Sequence, residues 1–264
     1  MAAGTDLDTR AHWPRSALPT ADAAERTVLS GPVQSTVPSP RTLSGAPEHA
    51  EPLVTGAALE TYSHEIAGCT RCRLAEGRTQ VVFGNGNPDA DLMFVGEAPG
   101  FHEDKQGFPF VGQAGKLLDQ LLAGIGLQRD MVFVANVLKC RPPGNRDPMP
   151  DEIESCEPHL FRQIDLIGPK VVATLGNFST KLLSGKPTGI TRAHGQPQEV
   201  TLGSRRVVLY PHYHPAAALY TPSMLNVLQE DVARIPELLC RVIEPPAEPE
   251  PLLAAEPAVQ LGLF

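Results

Sequence analysis

No apolar run in this chain reaches the roughly 18 residues that a membrane-spanning helix needs. The N-terminal stretch MAAGTDLDTRAHWPRS lacks the apolar core that a secretory signal requires. Both absences place the protein in the cytoplasm, or with the nucleoid in a bacterial source. No internal repeat is evident. An excess of positive charge is lacking too: 22 Lys and Arg stand against 30 Asp and Glu, for a net charge of −8. That balance weighs against a surface coated with basic groups, yet a local basic groove is compatible with it. The deficit is spread along the chain, at about −2 over residues 1–57, about −3 over residues 241–264 and about −3 between them. Within the middle, Lys139, Arg141 and Arg146 gather in one loop, and Lys181, Lys186, Arg192, Arg205 and Arg206 in a second region. On charge alone, ordinary solvated side chains are the simpler reading.

With 42 % apolar and 20 % charged residues, the composition suits a globular protein. The 27 prolines are bunched and divide the chain into three zones. Residues 1–53 are rich in Pro, Ser, Thr and Ala without periodicity, and read as a disordered arm. Residues 54–241 alternate short apolar runs with amphipathic stretches. Residues 242–264 return to Pro, Glu and Ala, including EPPAEPEP, and read as a disordered, extended tail.

The middle zone predicts an α/β fold. Strands are expected at 91–95, 131–135, 170–175 and 206–210, and helices at 113–124, 150–166, 177–184 and 223–239. Pro150 and Asp151 are good helix-opening residues, and Ser223 is the expected N-cap of the last helix. Strands alternating with helices imply a three-layer sandwich around a mainly parallel four-stranded central sheet. In such sheets the chemistry sits beyond the carboxyl ends of the strands, here after Val95, Ala135 and Tyr210.

Four of the five cysteines form a pattern: Cys69 and Cys72 in a C-x-x-C, Cys140 just after the second strand, and Cys156 in the helix that follows. Such a set can close four thiolates around an iron–sulfur cluster or a zinc ion, and the spacing does not choose between them. A redox dithiol or plain buried thiols are the alternatives. Cys240 has no partner in the pattern and is read as a core or surface thiol.

Three motifs fall where the sheet rule expects chemistry. After the first strand come Gly96-Glu97-Ala98-Pro99-Gly100, Glu103-Asp104 and Phe108-Pro109-Phe110-Val111-Gly112. After the second come Asn136 and Lys139-Cys140-Arg141-Pro142-Pro143; after the fourth, His212-Tyr213-His214-Pro215-Ala216-Ala217-Ala218-Leu219. Singly each has a bland explanation: a strand-to-helix turn, a cap, a core aromatic, a loop histidine. Their order and placement together are far more specific.

From about Tyr62 to Leu239 the chain resembles the family-four uracil-DNA glycosylases, which carry these motifs and a matching set of four cysteines in this order. The resemblance implies a monofunctional DNA repair glycosylase with a structural [4Fe–4S] cluster on Cys69, Cys72, Cys140 and Cys156. Uracil would be flipped out of single- or double-stranded DNA, because a stacked base is out of reach. Phe110 would stack on it, with Ala98 beside it in the pocket. Asn136 would both donate to and accept from its edge, a pattern that cytosine reverses. His214 would donate to O2 as negative charge develops there. Glu97 and Glu103 are both candidates for holding the attacking water. Classical relatives carry an Asp in the first motif where Ala98 stands, so the water-activating group is the open point. The loop Arg141–Asp147 lacks the K-R-R-I-H insert of a covalently trapping relative, so turnover is expected. A non-catalytic iron–sulfur nucleic-acid-binding module and a zinc-stabilised interaction domain are the competing readings. A monomer is expected.

The chain ends Gln260-Leu261-Gly262-Leu263-Phe264. An apolar cluster on a disordered tether has no core to join. The pentapeptide resembles the QL(S/D)LF peptides by which bacterial proteins dock on the DNA polymerase sliding clamp. In that mode Gln260 would make polar contacts while Leu261, Leu263 and Phe264 fill an apolar pocket.

Overall fold

A computed structural model describes residues 52–241. The N-terminal arm to residue 51, and the tail with Gln260, Leu261, Leu263 and Phe264, lie outside the described residues. Among the described residues six strands form one sheet: β1 (Asn85–Gly86), β2 (Leu92–Gly96), β3 (Phe133–Asn136), β4 (Val171–Leu175), β5 (Gln198–Leu202) and β6 (Arg205–His212). Their order is β1-β3-β2-β4-β6-β5. The inner four are mutually parallel, as the alternation of strands and helices predicts. The two edge strands are antiparallel and were not anticipated. β1 is only two residues long and leaves no periodic trace. β5 had a readable signal: only Gly203 and Ser204 separate it from β6, and Gly203 sits at φ 60°, the mark of a tight hairpin.

Among the described residues ten α-helices surround the sheet: α1 (Pro52–Ala67), α2 (Leu74–Gly77), α3 (Phe101–Gln106), α4 (Gln113–Gly124), α5 (Pro150–Ile167), α6 (Asn177–Ser184), α7 (Ile190–Ala193), α8 (Pro215–Tyr220), α9 (Ser223–Ala233) and α10 (Ile235–Leu239). Side chains alternate across the strands, so each inner strand feeds two cores. Met93, Val95, Ala135, Val172 and Leu209 pack on one face with Leu59 of α1, Leu160 and Ile164 of α5 and Leu183 of α6. Leu92, Phe94, Val134, Ala173 and Tyr210 pack on the other with Leu118 and Leu122 of α4, Leu228 of α9 and Leu238 of α10. The result is the expected helix–sheet–helix sandwich.

The expected last helix, 223–239, is two. Pro236 lacks the N–H that a continuous helix would use, and the chain turns at Arg234 between α9 and α10. Ser223 is the first helical residue, with Pro222 in the capping position. At the start of α5, Pro150 holds the first helical position and the Glu152 carboxylate accepts the N–H of Met149 at 2.9 Å.

The chain leaves β2 toward β3 on one side and returns to β4 on the other. That reversal opens a crevice at the carboxyl ends of β2 and β4, the place where α/β sheets bind ligands. No helix among the described residues is long and apolar enough to cross a membrane.

Candidate active site

A cleft of about 510 Å³ opens at that crevice. Glu97, Ala98, Glu103, Phe110, Asn136 and His214 all line it, from the segment that follows β2, the end of β3 and the segment that follows β6. Every residue that the motifs nominate for chemistry or base recognition is therefore in one place.

Phe110 is held in a left-handed backbone conformation, φ 56°, which a bulky residue adopts only when its surroundings enforce it. Two contacts do so. One carboxylate oxygen of Glu103 accepts the N–H groups of Val111 and Gly112 at 3.1 and 3.2 Å, pinning the loop. From behind, Gly115 of α4 lies so close that a Cβ there would fall 1.6 Å from the Phe110 carbonyl oxygen. The ring lies nearly parallel to that of His214, with centroids 5.5 Å apart.

Asn136 is the last residue of β3 and is buried. Its side-chain amide makes no hydrogen bond within the described residues, so donor and acceptor are both available to a ligand. Gly96, opposite it on β2, admits the amide: a Cβ at 96 would sit 2.4 Å from Asn136 Oδ1 and 2.9 Å from the Phe110 ring.

His214 caps α8. Its Nδ1 accepts the N–H of Ala216 at 3.1 Å, which leaves the proton of the neutral ring on Nε2. Burial pushes its pKa down to about 4, with the Glu103 charge only partly opposing. The site thus holds a neutral imidazole with a free Nε2–H. Glu97 is shifted the other way: burial, and then the charge of Asp147, raises its carboxyl above the ordinary range. Glu97 and His214 also border a second groove of about 740 Å³, lined by Asp147 and Lys181.

The basic residues sort differently from their sequence clustering. Lys139 is not a surface cation. It is 2 % exposed, and its ammonium donates to the Asn136 main-chain oxygen at 2.8 Å and to Gln163 Oε1 at 2.5 Å. Desolvation lowers its pKa to about 8. Arg146 forms a two-pronged ion pair with buried Glu152. Arg205 and Arg206 start β6, at the end of the sheet away from the cleft, and Arg206 pairs with Glu199. Lys181 alone of the second group borders the site grooves.

The motif reading missed Asn145 and Arg146 as lining residues. Asn145 stands at φ 55° after Gly144, and its Oδ1 accepts from Arg141 Nε at 2.7 Å. The Gly-Asn pair was the available signal, a tight turn that sets an exposed residue on the rim of the cleft.

The four patterned cysteines ring one small cavity, together with Arg78, Lys139 and His159. Cys240 is exposed and apart from them. Among the described residues no three His, Cys, Asp or Glu side chains converge as they would on a single metal ion. The sulfurs instead surround a space, N–H donors aim at two of them, and a ring nitrogen lies beside a third. The Lys139 backbone N–H reaches Cys156 Sγ at 3.2 Å, and Arg78 reaches Cys140 Sγ at 3.4 Å. His159 Nε2 lies 3.5 Å from Cys69 Sγ, while its Nδ1 is 2.6 Å from the Tyr62 hydroxyl. Burial pushes the Cys156 thiol up to about 11. Donors around sulfur suit thiolates better than thiols, so this setting fits metal-bound sulfur.

A cleft at the switch point of an α/β sheet, where a raised carboxyl, a neutral imidazole and an unpaired amide converge, has the form of an enzyme active site. The family model of the uracil DNA glycosylase superfamily matches residues 83–235. A type-4 uracil-DNA glycosylase of Sulfurisphaera tokodaii is 50 % identical over 186 residues, spanning 69 % of this chain and 84 % of the relative. Similar enzymes from Archaeoglobus fulgidus and Saccharolobus solfataricus are 44 % and 45 % identical, each over 69 % of this chain and over 93 % and 86 % of their own length. The chain belongs to the uracil-DNA glycosylase superfamily, in the type-4 group of these relatives.

Proposed function

We propose that this protein starts base-excision repair by hydrolysing the bond between uracil and deoxyribose in DNA. The observation that carries this is the joint placement of an unpaired Asn136 amide, the Phe110 ring and a neutral His214 with Nε2–H inside one cleft. Phe110 stacks on the extruded base, and Asn136 reads N3–H and O4. As C1′–N1 breaks, its electron pair passes into the uracil ring, and His214 donates a hydrogen bond to O2. Such a donor acts where charge develops and lowers the barrier more than it strengthens ground-state binding. Water attacks C1′ and Glu97 takes its proton; burial above the usual carboxylate range gives it a base strength suited to that step. Glu103 is the positioning residue, since its oxygen is already bonded to the loop that carries Phe110.

A [4Fe–4S] cluster on Cys69, Cys72, Cys140 and Cys156 fits the ring of sulfurs and their donors. When bound it supplies a cross-link between the C-x-x-C turn, the loop after β3 and α5. The glycosylase unit is residues 54–241, working as a monomer in the cytoplasm at the nucleoid. Gln260, Leu261, Leu263 and Phe264 form a clamp-binding peptide that brings it to newly copied DNA.

The deciding experiment is release of free uracil from a single-stranded oligonucleotide, with a cytosine-containing strand as control. Release from the first alone is expected; release from neither refutes the reading.

A further inference from the structure

Phe101 opens α3, immediately after Gly100 of the cleft wall, yet it is 45 % exposed and so contributes little to either core. Its ring lies 4.4 Å from the Lys105 ammonium and 5.1 Å from the Arg141 guanidinium carbon. Arg141 bonds Asn145, which lines the cleft. Aromatic ring, two cations and pocket wall are therefore one continuous surface. Within the described residues neither Lys105 nor Arg141 belongs to an ion pair, whereas Arg146 in the same loop does. The ring packs into neither core, and the two cations over it, unpaired with any carboxylate among the described residues, make a half-exposed site of positive charge and aromatic surface.

We propose that Phe101, with Lys105 and Arg141, binds the nucleotide adjacent to the extruded uracil in the same strand. This rests on the uracil-release reading above. Flipping uracil takes away its neighbour's stacking partner, and a ring at the pocket mouth replaces that partner. Any base has a π face, so the subsite tolerates sequence, while the cations take the flanking phosphate. The occupant is a nucleobase with its phosphate, which separates this subsite from the uracil pocket and its edge-reading Asn136.

The test uses the full chain and single-stranded oligonucleotides carrying 2′-fluorinated deoxyuridine, whose glycosidic bond resists cleavage. One probe is fully based; two others carry a tetrahydrofuran abasic unit on the 5′ or the 3′ side of the uracil. By fluorescence anisotropy, the unaltered protein should lose affinity on the order of tenfold when the base on one of these sides is missing. Phe101→Ala should weaken binding to the based probe by a similar factor and be indifferent to the abasic unit. Arg141→Ala should reduce the salt dependence of binding by about one phosphate contact. Unaltered protein that ignores both abasic units, or a Phe101→Ala protein as sensitive to them as the unaltered one, would overturn the proposal. Uracil release from an ordinary oligonucleotide, run alongside, separates this outcome from a failure of the glycosylase reading.

Discussion

The Lys139 ammonium lies 2.8 Å from the main-chain oxygen of Asn136, and the same lysine's backbone N–H lies 3.2 Å from Cys156 Sγ. One buried residue thus touches both the end of β3 in the cleft and the cysteine ring. Lys139→Met keeps the length and removes the donor. It leaves the Asn136 oxygen and Gln163 Oε1 without their partner, a cost of about 1–3 kcal/mol for each buried group that stays unpaired. The expected result is a lower melting temperature and a loss of uracil-over-cytosine selectivity, read from kcat/KM on the two substrates.

His214→Ala should slow uracil release roughly 10²-fold or more, as loss of one oxyanion donor does, with little change in DNA affinity. Single-turnover rates and anisotropy measure the two. An unchanged rate would remove His214 from the chemistry.

The pH dependence follows from two opposite shifts. His214 is neutral from alkaline pH down to about 4, so its donor persists across the ordinary range. The acid limb of the rate belongs to Glu97, whose raised carboxyl protonates first. Glu97→Gln should lower the rate strongly and flatten that limb, whereas Glu103→Gln should retain the limb and act mainly through the Phe110 loop. Stability moves too. His212 and His214 both titrate near 4 in the fold, below the ordinary histidine value near 6.5. The unfolded chain therefore binds more protons in that window, and stability falls as pH drops from about 6.5 toward 4. Thermal melts across that interval check the sign.

Purified protein should be brown, with about four iron and four sulfide per chain. Cys140→Ala should lose the colour and much of the stability, since metal binding and folding are coupled. Cys240→Ala should do neither, as its thiol is exposed and outside the ring. Colourless protein with stoichiometric zinc would replace the cluster with the other metal.

For the tail, a sliding-clamp pull-down with the intact chain and with one ending at Val259 should retain the clamp only on the first. Uracil release from short oligonucleotides should be equal for both, because the pocket lies within residues 97–216. Equal capture by both, or by neither, would refute the clamp peptide.

The parallel strands were legible because Leu92–Gly96 and Val171–Leu175 are buried on both sides and read as continuous apolar runs. The site was legible because each motif directly follows such a strand. Lys139 was misread for the opposite reason. Its sequence neighbours are basic, and only the packing of Asn136 and Gln163 around it shows that it faces inward. The different settings of Glu97 and Glu103 were also hidden, since both follow the same strand and neither the bonds of Glu103 to Val111 and Gly112 nor the burial of Glu97 is visible before folding. The break between α9 and α10 was written in Pro236 but overridden by the apolar periodicity that continues through it.

Gly115 has no side chain to offer the pocket, yet the pocket depends on it. The bare backbone of α4 lets the Phe110 carbonyl settle where any Cβ would stand. Transplanting this chemistry to another α/β sheet therefore means more than grafting Glu97, Phe110, Asn136 and His214. The graft must also carry the first turn of α4, in register, because there an absent atom leaves room for the backbone that carries the Phe110 ring.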